Sequence, residues 1–397
     1  MPFPSAKAAA DELSRLPAPS VDAQAHSEKL IALIRDEMAA GGGRLSFARY
    51  MELALYAPGL GYYSAGSRKF GAAGDFVTAP EISPLFSRCL ARQSAEVLRE
   101  LGGGDVLEVG AGSGTMAAEV LAELAAVDAL PGHYSILELS GELRQRQRET
   151  IAARVPRLLE RVRWLDALPA AGFRGVVLAN ELLDALPVHA FRVTAEGVQE
   201  RFVTWDGARF QWTLGAPEDA QLAARLADTA NDLPAGYESE LNLAAEGWVA
   251  AIAALLEAGV VLLVDYGFPR HEYYHPQRSA GTLMCHYRHR AHADPFVYPG
   301  LQDITAHVDF TAVAEAAVNA GLHVAGYNTQ GFFLLANGLT ELVPAAADER
   351  QQLVLAQQIR TLTLPGEMGE LFKVMALTRN YDAPLRGFAL QDLRSRL

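Results

Sequence analysis

Short apolar runs punctuate the middle of the chain: "DVLEVG" from Asp105, "YSILEL" from Tyr134, "VRWL" from Val162 and "GVVLAN" from Gly175. They recur roughly every 30 residues and are separated by polar, helix-compatible stretches such as "GELRQRQRETIAARV" (141–155). Strands alternating with helices predict right-handed crossovers and a mainly parallel sheet, so the fold class is α/β. A helical stretch near 240–257 leads to "GVVLLVDYGF", a fifth buried strand, with later strand candidates around 322–328 and 371–377. The period changes between 191 and 214, where "VQERFVTWDGARFQWTLG" alternates about Asp206-Gly207 and predicts a hairpin with a tight turn, hence a small antiparallel insertion. At the start, residues 1–26 are rich in Ala, Pro and Ser, and a helix is expected from about Glu28 to Ala40, ending at Gly41-Gly42-Gly43. Glycines, aromatics and prolines break every periodic run from 45 to 90, a segment that reads as a lid or a covering layer.

The polar residues that interrupt these runs fall at strand ends. The first strand passes into Glu108-Val-Gly110-Ala-Gly112-Ser-Gly114 and then a helix from about Thr115, the place where open parallel sheets bind ligands. The spacing is G-x-G-x-G; a dinucleotide fingerprint would need glycine where Thr115 stands, so NAD is a poor fit. Glu138 ends the second strand, Asp166 follows the third and Asn180 ends the fourth, one polar group at the same sheet edge each time. An acid after the second strand can accept from both ribose hydroxyls, and an aspartate after the third from an exocyclic amine. That is an adenosine-shaped site without a pyrophosphate; the bland alternative for the glycines is a tight turn.

Composition narrows the partners. The 397 residues, half of them hydrophobic, suffice for one large domain with additions or for two domains. A formal net charge of -13 argues against a nucleic-acid backbone as partner and accommodates a basic substrate. Cys89 and Cys285, far apart, offer neither a disulfide framework nor a Cys-x-x-Cys metal clip, which fits a reducing compartment and a cytoplasmic location. The first residues have no apolar signal region, their acidic groups argue against a transit peptide, and no stretch approaches the roughly 18 apolar residues of a membrane span. "HEYYH" (271–275) spells a zinc-protease motif, and His286, His289 and His292 lie close behind it. Pro269 and Pro276 leave no room for the helix that motif requires, so no metal is expected.

Glu108 to Gly114, Glu138 and Asp166 together resemble the class I S-adenosylmethionine-dependent methyltransferases. "GYYSAG", "FGAAGDFVTAPEIS", "LANELLDALPV", "DYG" at 265–267, "DITAHVDF" and "EMGELFKVMAL" stand in the order found in the MidA-like family, over about residues 30–380. The resemblance implies a Rossmann-like seven-stranded sheet with an N-terminal covering segment and an α+β insertion. The chain then divides into a helical and lid segment (1–90), the first part of the methyltransferase domain (91–190), the insertion (191–254) and the remainder (255–397). It implies S-adenosylmethionine as cofactor, held by Glu108, Gly110, Gly112, Gly114, Glu138, Asp166 and Asn180, and, from a mitochondrial member that assists complex I assembly, a protein arginine as acceptor.

A guanidinium stays protonated and delocalised. Carboxylates that grip two of its nitrogens bias charge toward them and leave the third better able to attack. Glu181 and Asp184, three apart on an expected first helical turn, could form such a clamp beside Asn180; the bland reading is helix capping. Asp75, Thr78 and Glu81 are candidates for a lid over the site, and Asp265 and Tyr266 for substrate contacts or structural hydrogen bonds. Two other readings stand beside this one: a noncatalytic, cofactor-binding assembly factor for a respiratory complex, and a small-molecule methyltransferase. Neither the acceptor nor the oligomeric state is written in the sequence.

Overall fold

The apolar runs become neighbouring strands of one sheet in the computed structural model, which describes residues 16–64 and 78–397. They are β1 (Asp105–Val109), β2 (Tyr134–Leu137), β3 (Val162–Leu165), β4 (Phe173–Asn180), β5 (Leu256–Phe268), β6 (His323–Thr329) and β7 (Phe372–Arg379), bonded in the order β6-β7-β5-β4-β1-β2-β3. A further two-residue strand, Val308–Asp309, lies off this path. The pairs β3–β2, β2–β1, β1–β4 and β4–β5 are parallel, while β7 runs antiparallel to both β5 and β6.

Leaving β1, the chain builds outward through β2 and β3, then returns to place β4 on the other side of β1. The C-terminal ends of β1 and β4 therefore flank a topological switch point, where helical connections diverge and leave a crevice. Pairing at the opposite end requires glycine: a Cβ on Gly175 (φ +143°) would lie 1.9 Å from the Asp105 carbonyl oxygen, and one on Gly259 would lie 1.9 Å from that of Gly175.

Alternate residues of the strands serve opposite faces. Val106, Val176, Leu178, Val260, Leu262 and Val374 pack with Phe86, Leu90, Ala117 and Leu121 from helices Pro84–Glu100 and Thr115–Ala126. Leu107, Val177, Val261 and Leu263 are also buried. With both faces covered, the strands read as continuous apolar runs, not as alternation.

This sheet belongs to one of two compact units, made of Val77–Leu183, Glu246–Pro269 and Asp309–Leu397. The other comprises Met1–Phe76, Asp184–Ala245 and Arg270–Val308. It holds a five-stranded sheet of Arg44–Ser46, His189–Thr194, Gly197–Trp205, Phe210–Gly215 and Glu238–Leu241, and a three-stranded one of Met284–Tyr287, Arg290–His292 and Asp303–Thr305. Leu30 and Ile34 from helix Val21–Ala40 and Phe47, Tyr50 and Met51 from helix Phe47–Tyr56 fill its main core with Phe210.

The structure refines the local expectations. The first helix begins at Val21, capped by Ser20, seven residues earlier than its apolar pattern suggests. The expected hairpin forms, its turn running through residues 206–209: the Asp206 N–H donates to the Arg209 carbonyl, and Asp206 Oδ1 accepts from the N–H groups of Ala208 and Arg209. In the "HEYYH" stretch, helix Arg270–Tyr273 ends before His275, whose extended backbone (φ -67°, ψ 141°) caps the next turn. Among the described residues, no helix is long and apolar enough to cross a membrane.

Candidate active site

The loop after β1 turns on left-handed glycines: Gly110 (φ +74°), Gly112 (φ +51°) and Gly114 (φ +82°). They do not share one purpose. A Cβ on Gly114 would lie 2.8 Å from Gln147 Cα, so this glycine admits the neighbouring helix Gly141–Arg154. A Cβ on Gly110 would meet Leu182 Cδ1 at 3.4 Å, which places Gly110 beside the turn that follows β4.

Gln147, fully buried, ties this loop to the end of β2. Its Nε2 donates to the Gly112 carbonyl (3.1 Å) and to Glu138 Oε2 (3.1 Å), while its Oε1 accepts from Trp164 Nε1 (3.0 Å). The Ser140 N–H donates to Glu138 Oε1 at 2.9 Å. Burial raises the Glu138 carboxyl above its ordinary range, and the bonds from Ser140 and Gln147 oppose that shift by favouring the charged form. Arg144 staples the ends of β2 and β3 together, donating to the carbonyls of Glu138 (2.6 Å) and Leu165 (2.8 Å) and to Asp166 Oδ1. Asp166 is largely exposed, and Leu139, the residue after Glu138, is 78% exposed, an apolar surface at the end of β2. The sequence pattern does not single out Gln147 or Arg144, because both sit on a helix that reads only as polar.

Glu108, the acid that opens the loop, is buried. Tyr134 Oη donates to its Oε2 at 2.7 Å, and its Oε1 has no hydrogen-bond partner among the described residues. Burial pushes its carboxyl up to about 7, against the lowering effect of the Tyr134 bond.

At the end of β4 the expected helical turn does not form. Glu181 is left-handed (φ +49°) and its N–H donates to the Val264 carbonyl at 2.9 Å. The N–H groups of Leu182 and Leu183 donate to Asp265 Oδ2 at 3.2 and 2.9 Å, and the Tyr266 N–H to Asp265 Oδ1 at 2.9 Å. These donors are thus diverted from a helical ladder, and residues 181–186 form bends and turns. The helical-face argument for a Glu181–Asp184 clamp therefore fails. Asp184 lies in the other unit, buried, its carbonyl accepting from the Ala306 N–H at 3.0 Å. Asn180 Nδ2 donates to Glu181 Oε1 (3.1 Å), while Asn180 Oδ1 is buried with no partner among the described residues. Asp265 is buried and fixes backbone, and Tyr266 packs edge-to-face on Phe372 (5.4 Å).

Of the lid candidates, Asp75 lies outside the described residues. Thr78 precedes the short helix Ala79–Ile82, which carries Glu81 to the glycine loop: Ser113 Oγ donates to Glu81 Oε1.

These donors and acceptors fit a nucleoside that carries positive charge and no phosphate. Glu138 offers acceptors for a diol and Leu139 an apolar surface for a base. Glu81 and Glu181 are acids, and the nearby Arg144 is engaged with carbonyls and Asp166. Comparison with known proteins agrees. Residues 89–328 match a family described as S-adenosyl-L-methionine-dependent methyltransferase. The chain is 30% identical over 374 residues to the mitochondrial protein arginine methyltransferase NDUFAF7 homolog of Drosophila melanogaster, covering 84% of this chain and 82% of that protein. Against the mitochondrial protein arginine methyltransferase NDUFAF7 of Homo sapiens it is 27% identical over 368 residues, covering 84% and 80%. A Burkholderia thailandensis protein crystallised with S-adenosyl-homocysteine is 50% identical with a TM-score of 0.92, covering 96% of this chain and 100% of that one. The mixed α/β architecture about a central sheet is consistent with the class I methyltransferase fold, and S-adenosylmethionine is the cofactor. The chain belongs to the MidA-like family of S-adenosyl-L-methionine-dependent methyltransferases.

Proposed function

We propose that this methyltransferase modifies arginine side chains of a protein. The observation that carries the reading is Glu181, a carboxylate held out of helical geometry at the end of β4, its Oε1 bonded by Asn180 and its backbone fixed through Val264 and Asp265. The curated relatives named above as protein arginine methyltransferases support the choice of acceptor.

When bound, S-adenosylmethionine supplies an electrophilic methyl on a positively charged sulfur. In this reading Glu138 receives the ribose hydroxyls, Asp166 the exocyclic amine and Leu139 the base, while Gly110 and Gly112 keep the loop open to close approach. The Glu181 carboxylate accepts from two guanidinium N–H groups, draws positive charge toward them and orients the third nitrogen. Orientation alone lowers a barrier by roughly 7 to 11 kcal/mol in the best cases. The buried Asn180 Oδ1 is an acceptor for cofactor or substrate. Asp184 and Thr78 are assigned to the substrate side on chain position alone, and Asp265 and Tyr266 to support of the Glu181 turn.

The seven-strand path is read as the methyltransferase sheet, with Val308–Asp309 and the five-stranded sheet as additions to it; the strand order and the antiparallel β7 support this. The cytoplasmic location expected from the cysteines has no support from the curated relatives, which are named mitochondrial. The test is transfer of radiolabelled methyl to proteins of a lysate from cells lacking the gene, followed by hydrolysis of any labelled band. Label in methylarginine with the wild type, strongly reduced with Glu181→Gln, is expected. Label in another amino acid or in a small molecule would overturn the arginine assignment.

A further inference from the structure

The contact between Glu81 and Ser113 has no part in the reading above. Ser113 sits in the glycine loop, and its hydroxyl donates to Glu81 Oε1. The hydroxyls of Ser113 and Thr115 lie 2.9 Å apart, and the Thr115 N–H donates to Ser113 Oγ at 3.3 Å. With the single Ser113 proton directed at the carboxylate, Thr115 is left to donate to Ser113. A relay of two hydroxyls then fixes the Glu81 carboxylate against the loop.

Among the described residues no cation pairs with Glu81, and its Oε2 has no hydrogen-bond partner. A carboxylate held over a glycine loop repels a phosphate, the usual guest of such loops. It favours a cation instead. The cofactor has two positive groups, the sulfonium and the α-ammonium of its amino-acid part, and only the ammonium has N–H groups to donate to a carboxylate. Glu138, the acceptor suited to the ribose, is joined to the Gly112 carbonyl through Gln147, while Glu81 is joined to the loop through Ser113. The two acids thus engage the loop through different partners, Glu138 through Gln147 and Glu81 through Ser113.

We propose that Glu81 is the residue that receives the α-ammonium group of S-adenosylmethionine, with Ser113 as its positioning partner. The short helix Ala79–Ile82 then contributes to cofactor selection.

The test is calorimetric titration of the full chain and of Glu81→Gln with three ligands. S-adenosylmethionine has both positive groups, S-adenosylhomocysteine keeps only the ammonium, and 5′-methylthioadenosine has neither. Affinity for the first two is expected to fall by the same factor, about tenfold or more, as for a lost hydrogen bond to a charged group. Binding of 5′-methylthioadenosine should stay within about twofold, which also reports that the variant is folded. Ser113→Ala should act in the same direction by a smaller factor. A loss confined to S-adenosylmethionine would assign Glu81 to the sulfonium, an equal loss for all three ligands would make it structural, and unchanged binding of all three would return it to the substrate side; each overturns the proposal.

Discussion

Two loops at the same sheet edge are held in opposite ways. The loop after β1 obtains its left-handed turns from glycines and its bracing from one helix, through Gln147. The turn after β4 places a glutamate at φ +49° and is fixed from β5, where Asp265 takes two of its N–H groups and Val264 a third. A non-glycine residue in that region costs about 1 to 2 kcal/mol. The first loop therefore offers an unstrained surface for a ligand, while the second tolerates strain to present one acid. If that division is real, damage to the first should appear in cofactor affinity and damage to the second in turnover.

Glu181→Gln should separate them most sharply. A bond between charged groups is worth about 1.5 to 3 kcal/mol, so methyl transfer at saturating cofactor should fall by about 10- to 100-fold. S-adenosylhomocysteine affinity should stay within about twofold; a parallel loss of affinity would merge the two loops into one binding surface. Glu181→Gly, equally inactive, should melt no lower than the wild type, because glycine adopts this backbone without the steric cost.

Asp265→Asn carries the same logic to the support. The amide keeps one acceptor oxygen, leaving part of the Leu182, Leu183 and Tyr266 N–H set unsatisfied at about 1 to 3 kcal/mol per buried donor. Turnover and thermal stability should fall, with binding of 5′-methylthioadenosine unchanged. Falling stability at full turnover would mean that Glu181 is held by other contacts.

Gln147→Leu attacks the first loop. It preserves bulk but orphans Trp164 Nε1 and removes one donor to Glu138. Cofactor affinity should drop about tenfold while turnover at saturation changes little, and the environment of Trp164 should register the change in fluorescence. A fall in turnover at saturating cofactor, with affinity intact, would reverse the division.

How far these loops were legible depended on sequence distance. Apolar runs reveal the strands, and glycine spacing reveals the left-handed loop after β1, because each signal is contained in a few consecutive residues. "ELLDAL" after β4 looked like a first helical turn, since nothing local shows that Asp265, 82 residues beyond Leu183, takes the N–H groups a helix would use. The Glu81 contact is invisible locally for the same reason: its partner Ser113 stands 32 residues away. Gln147 was hidden because one buried amide on a polar helix has no periodic signature.

The smallest effect tests whether Glu108 belongs with the binding surface or with the core. Burial lifts its carboxyl from 4.5 to about 7, so between those values the folded chain holds a proton that the unfolded chain has released. The stability this confers is present below about pH 4.5 and is lost as the pH rises toward 7. Glu240, in the other unit, is also lifted to about 7 by burial, against hydrogen bonds from the Thr282 N–H and hydroxyl, and it adds a slope of the same sign. Glu108→Gln keeps the shape and has no proton to lose. Urea unfolding at pH 5 and pH 7 should show a shallower decline in the variant, by at most about 1.4 kcal/mol per pH unit, with the share due to Glu240 remaining. An unchanged slope would mean that Glu108 ionises in the fold without penalty, as it would if the site surrounding its Oε1 were wet, and would move it from the core to the binding surface.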